Sequence, residues 1–144
     1  MPKAYLLVAA AALSLCSSAA IACRAHIPAE RHLDSAYRAG TISAVALVRT
    51  TGSAYIRAAF GDAHPWRASA EVKRPLRGSY RGRRVNFDGW WGSAACDDGR
   101  PRPAAGELWV VYFRKLARGN QAVWRSYPAA TAYAADPRLR GGGR

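Results

Sequence analysis

The sequence predicts a mainly β fold, a small antiparallel barrel or sandwich of five or six short strands. Three observations carry that prediction. Residues 66–73 alternate strictly, with Trp66, Ala68, Ala70 and Val72 on one side and Arg67, Ser69, Glu71 and Lys73 on the other. Two runs, 42–48 and 108–113, are β-rich and apolar on both faces, as strands inside a sheet are. Turn residues recur at short, even intervals, which suits hairpins rather than βαβ units.

Taken in order, the chain opens with Lys3, an apolar run from Tyr5 to Leu15 and the small-x-small triplet Ala20-Ile21-Ala22. These are the parts of a secretory signal cut after Ala22. Residues 1–22 are therefore expected to be a signal peptide, residues 23–136 the folded domain, and the protein periplasmic or secreted. The apolar run is shorter than the roughly 20 residues a bilayer span takes.

Pro28 to Ala39 reads as a short helix, with Pro28 suited to a first turn, Glu30 favourable at the N-terminus and Gly40 as a stop. Ile42, Val45, Leu47 and Val48 then form a central strand. Thr51-Gly52-Ser53 is expected to turn the chain and send Ala54–Phe60 back as the second arm of a hairpin. Gly61–Pro65 is a further turn into the alternating strand, which Pro75 and Gly78 should end. Arg83–Phe87 is another strand, followed by a Gly-, Trp- and Asp-rich loop that carries Cys96. After the loop Pro101–Gly106, Glu107–Lys115 is a buried strand. Gly119-Asn120 turns the chain, Gln121–Tyr127 pairs back, and Ala129–Ala135 is helix-competent. The tail 137–144, with three glycines near its end, is expected to be disordered.

Charge narrows the class of partner. Twenty-two Lys and Arg face nine Asp and Glu, a net charge of +13, and the leader contributes only Lys3. In a cytosolic chain that excess would point to nucleic acid, through counterion release from neutralised phosphates. Export points instead to a protein partner or an acidic glycan or envelope surface, with no nucleic acid, or to charge that serves solubility alone.

Cys16 leaves with the leader, so Cys23 and Cys96 remain as an even pair in an oxidising compartment, and a single disulfide is the expectation. In the loop-entropy picture such a bridge adds about 3–5 kcal/mol. A lipid anchor at Cys23 is the rival, although Ala20 stands where a lipobox has Leu. The histidines His26, His32 and His64 read as surface imidazoles. Neither His32 with Asp34 nor His64 with Asp62 has metal-site spacing, so no metal or cofactor is expected. Acid–base chemistry by Asp88, Asp97, Asp98 or Glu107 would make a small periplasmic hydrolase, a distant alternative, since no nucleophile elbow accompanies them. The expectation is a protein that is not an enzyme. The segment 81–91 holds the candidate ligand surface. Arg83 and Arg84 can pair with carboxylate or phosphate, while Trp90 and Trp91 can stack on sugar rings.

The order of these features resembles the bacterial netrin-like domains. The residues that carry the resemblance are Cys23 followed by a helix ending at Tyr37-Arg38-Ala39, the stretch Ala68 to Gly78 with its Leu76-Arg77-Gly78 turn, and Ser93-Ala94-Ala95-Cys96 followed by Gly106 to Tyr112. That group includes the tissue inhibitors of metalloproteinases, and the resemblance implies an OB-like barrel over about residues 23–135. It also implies a role for Cys23, whose free amine and carbonyl would chelate the zinc of a target protease. The inhibitor pattern opens Cys-x-Cys with a small second residue. This chain has Arg24 and Ala25 there, which favours Cys23 as an anchor over Cys23 as a chelator.

Overall fold

The computed structural model describes residues 27–56, 65–89 and 102–140. In chain order these form α1 (Ala29–Arg38), β1 (Ile42–Tyr55), β2 (Trp66–Arg77), β3 (Arg84–Asp88), β4 (Leu108–Lys115), β5 (Gln121–Pro128) and α2 (Ala129–Ala135). All strand pairings are antiparallel, in the spatial order β3-β2-β1-β4-β5. The outer strands β3 and β5 touch across the curl, so the sheet is a half-barrel, and the mainly β prediction holds. Its form is consistent with a small OB-like barrel flanked by two helices.

The helix α1 begins after Pro28 and ends at a left-handed Gly40. The Gly40 amide donates to Tyr37 O and the Thr41 amide to Ala36 O, closing the helix in a Schellman motif. Leu33 and Ala36 are its buried residues, one helical turn apart on the side facing the sheet. β1, which is central, is apolar on both faces because each face has a separate core. Ala44, Ala46 and Val48 enter the hollow of the barrel with Trp66, Ala68, Ala70, Val85, Phe87, Trp109, Val111 and Phe113. Val45, on the opposite side, packs with Leu33, Val110, Tyr112, Tyr127, Ala132, Ala135 and Leu139 under the two helices. The four alanines of the hollow leave room for the aromatic side chains. There Trp66 meets Phe87 and Trp109 edge-on, with centroids 6.0 and 5.6 Å apart.

The structure corrects three expectations. Thr51-Gly52-Ser53 is no turn: β1 runs on to Tyr55 and stays paired with β2, Gly52 opposite Ser69 and Tyr55 opposite Trp66. A register shift at Thr50/Gly52 absorbs the extra residue as a bulge, and Thr51 Oγ1 donates to Ser69 O. The return arm expected over 54–60 is thus part of β1 as far as Tyr55, and residues 57–60 lie outside the described residues.

Pro75 also lies inside a strand. It stands opposite Ala46 between two register shifts in the β1–β2 ladder, the kind of irregular setting in which a strand tolerates proline. These shifts exchange the faces of β2, so that Arg74 reaches Tyr133 of α2 and Leu76 joins the core beneath the helices. The third correction concerns the tail. Pro137–Leu139 is a 3-10 turn with Leu139 buried, so the folded unit extends beyond residue 136, at least to Arg140. A buried apolar side chain there is worth about 2 kcal/mol, enough to hold a short turn in place.

Candidate ligand-binding surface

The helices cover only part of the convex face. Over the remainder, β1, β2 and β3 present polar side chains in cross-strand rows. Arg67 stands opposite Asp88, Ser69 opposite Asn86, and Glu71 between Arg49 and Arg84. Arg67 and Asp88 form a bidentate pair at 2.8 and 3.1 Å, and Ser69 Oγ donates to Asn86 Oδ1 at 2.8 Å. An open depression of about 440 Å³ lies over these strands, lined by Thr51, Ser69, Ala70, Arg84, Val85 and Asn86.

Of the residues singled out in the sequence, Arg83 and Arg84 are exposed at the start of β3, and Arg84 borders this depression. Trp90, Trp91, Cys23 and Cys96 lie outside the described residues, as do His26, His64, Asp97 and Asp98. Two carboxylates considered for acid–base chemistry have partners: Asp88 holds Arg67, and Glu107 accepts the Trp109 indole N–H at 3.2 Å. Sequence reasoning missed Thr51, Ser69 and Asn86 as lining residues. The signal was present, because strict alternation in β2 turns Ser69 outward and the spacing Arg84-x-Asn86 puts both residues on one face of β3.

A second cluster is buried between the helices and the sheet. Asp136, fully enclosed, accepts hydrogen bonds from the Tyr37 hydroxyl at 3.0 Å, the Tyr112 hydroxyl at 3.2 Å and both the amide and the guanidinium of Arg138. Arg138 also pairs with Asp34 and lies over the Tyr37 ring, 4.3 Å from its centroid, while Arg77 stands 5.0 Å from the same ring. Burial, and then the negative charge of Asp136, push the hydroxyls of Tyr37 and Tyr112 well above the ordinary tyrosine range. With its carboxylate satisfied by four donors and closed off from solvent, this cluster joins α1 to the end of the domain and offers no binding surface.

Among the described residues, no three His, Cys, Asp or Glu side chains come together as a metal site, and no helix is long and apolar enough to cross a membrane. No family model, curated protein or solved structure matches this chain.

Proposed function

We propose that the protein is an exported, non-enzymatic binding domain whose partner is an acidic surface, a protein or a glycan of the envelope or exterior. The observation that carries this reading is the open depression on the bare part of the convex face, lined by Arg84, Asn86, Ser69 and Thr51 together with the apolar Ala70 and Val85. An arginine beside amide and hydroxyl groups can hold a carboxylate or phosphate through charge while hydrogen-bonding its neighbours. The β2–β3 face is where OB-like barrels receive extended ligands. In sequence, Trp90 and Trp91 follow β3 closely and would add stacking surfaces. The net charge of +13 draws anionic partners toward the domain. The netrin-like resemblance, and the leader from which export is inferred, belong to the same proposal.

Retention on an immobilised acidic glycan tests it. The wild-type chain should be retained at about 0.15 M salt, where charges are screened within about 8 Å. Arg83→Ala combined with Arg84→Ala should elute earlier. Retention unchanged by that pair of substitutions removes the face from consideration.

A further inference from the structure

At one end of the half-barrel both hairpin connections carry cations and no acid, the nearest carboxylate being Glu71 of β2, opposite Arg84. The β2–β3 connection and the start of β3 supply Arg81, Arg83 and Arg84, and the end of β4 with its turn into β5 supplies Arg114, Lys115 and Arg118. All six are exposed, and no carboxylate among the described residues forms a salt bridge with any of them. The two hairpins are also fixed against each other. Gln121 Nε2 donates to Ser79 O at 3.1 Å and to Ser43 Oγ at 3.3 Å. Tyr80 stacks on Phe113 of β4 with ring centroids 4.0 Å apart, and its hydroxyl donates to Arg84 O.

The tip of the β4–β5 hairpin adds an independent observation. Arg118 has φ 60 and ψ 23, the only non-glycine residue with positive φ among those described, and Gly119 follows it at φ 79. Two left-handed residues in succession suit a primed hairpin turn, whose first position normally takes Asn, Asp or Gly. A long cationic side chain is held there against its own backbone preference, as happens where a tip residue serves a ligand.

We infer that these two hairpins form one anion-binding rim, and that its occupant is an acidic polysaccharide lying across both. The inference rests on the binding reading proposed above, and it adds β4–β5 as the second half of the site. A polysaccharide fits because the exposed hydroxyl of Ser79 and the exposed amide of Asn120 stand among the cations and match a hydroxyl-rich chain. A membrane surface fits less well, since Leu116 is the one exposed large apolar side chain on this rim among the described residues.

The test uses the secreted chain and immobilised polygalacturonate, with neutral dextran as control. One variant carries Arg114→Gln, Lys115→Gln and Arg118→Gln. A second carries Arg81→Gln, Arg83→Gln and Arg84→Gln. A third removes equal charge elsewhere, through Arg31→Gln, Arg38→Gln and Arg140→Gln. Thermal melting confirms that each variant is folded. Each rim variant should bind about tenfold or more weakly and the third within about threefold of wild type, tenfold being about 1.4 kcal/mol. If the first variant matches the third while the second loses binding, the shared rim is wrong and the single-face reading stands. Wild type that ignores polygalacturonate overturns the polysaccharide rim and leaves the single-face reading with a protein partner. Stronger binding to phosphatidylglycerol vesicles than to polygalacturonate overturns the choice of polysaccharide.

Discussion

Tyr112, in the middle of β4, donates its hydroxyl over 3.2 Å to the carboxylate of Asp136, a residue with no exposed surface. The same carboxylate oxygen accepts from Tyr37 of α1, so one atom joins the first helix, the central sheet and the last turn. Asp136→Ala leaves two inward-facing hydroxyls and a guanidinium without this acceptor. The expected loss is about 3 kcal/mol or more, read from the urea midpoint. Asp136→Asn retains one acceptor oxygen and should cost less. Equal losses from the two substitutions would show that the carboxylate's charge and not its geometry holds the cluster.

The same cluster predicts sensitivity to alkali. An exposed tyrosine ionises near pH 10. In the folded protein, burial and then Asp136 raise Tyr37 and Tyr112 above that value, so the unfolded chain releases protons that the native state keeps. Their contribution is present in full below about pH 10 and is lost as pH rises beyond it. Urea midpoints measured from pH 8 to 12 should be flat at first and then fall. Tyr112→Phe should start lower and fall less steeply. A wild-type midpoint that holds level to pH 12 would contradict the raised values.

Two glycines with nearly the same backbone should respond differently to alanine. Gly40 (φ 66) and Gly78 (φ 63) are both left-handed, but a methyl group at Gly40 meets nothing within 4 Å, while at Gly78 it runs into the Ser43 carbonyl and the backbone of Ala44. Gly40→Ala should cost about 1 kcal/mol, the left-handed penalty alone. Gly78→Ala should cost clearly more, about 2–3 kcal/mol, because the obstruction is main chain and cannot rotate away. Equal destabilisation in thermal melts would mean that β2 can shift away from β1 at this point.

Arg118 permits a stabilising substitution. Arg118→Asn or Arg118→Gly should raise stability by about 0.5–1 kcal/mol by relieving its left-handed conformation. If the rim binds anions, the same change should weaken retention on polygalacturonate. A variant that gains stability and loses binding together would fit a tip whose arginine is kept for its charge.

Where a residue's partners are close in sequence, the fold could be read in advance. The alternation of β2, the doubly apolar β1 and β4, α1 with its glycine stop, and Ala129–Ala135 as α2 are all local patterns, and each appears in the structure. The failures share a cause. Thr51-Gly52-Ser53 has turn chemistry, and only continued pairing with β2 makes it a bulge. Pro75 reads as a terminator until the register shifts around it are known. Asp136 and Leu139 read as the start of a loose tail, because their partners Tyr37, Tyr112 and the core under the helices are distant in sequence. For the candidate surface, Arg83 and Arg84 were legible as a cationic pair. The approach of the β4–β5 hairpin to them depends on the curl of the whole sheet.

The junction of Asp34, Arg138 and Asp136 brings together residues 104 positions apart. α1 precedes every strand in the chain, yet the element it packs against is α2, and Asp136 and Arg138 of the turn after α2 bind its Tyr37 and Asp34. Until residues 129–140 have been made, α1 lacks these partners, and before them β1 lacks β4 along one edge. Closure of the domain therefore waits for residues 129–140, and the segments before them stay open until that stretch has been made.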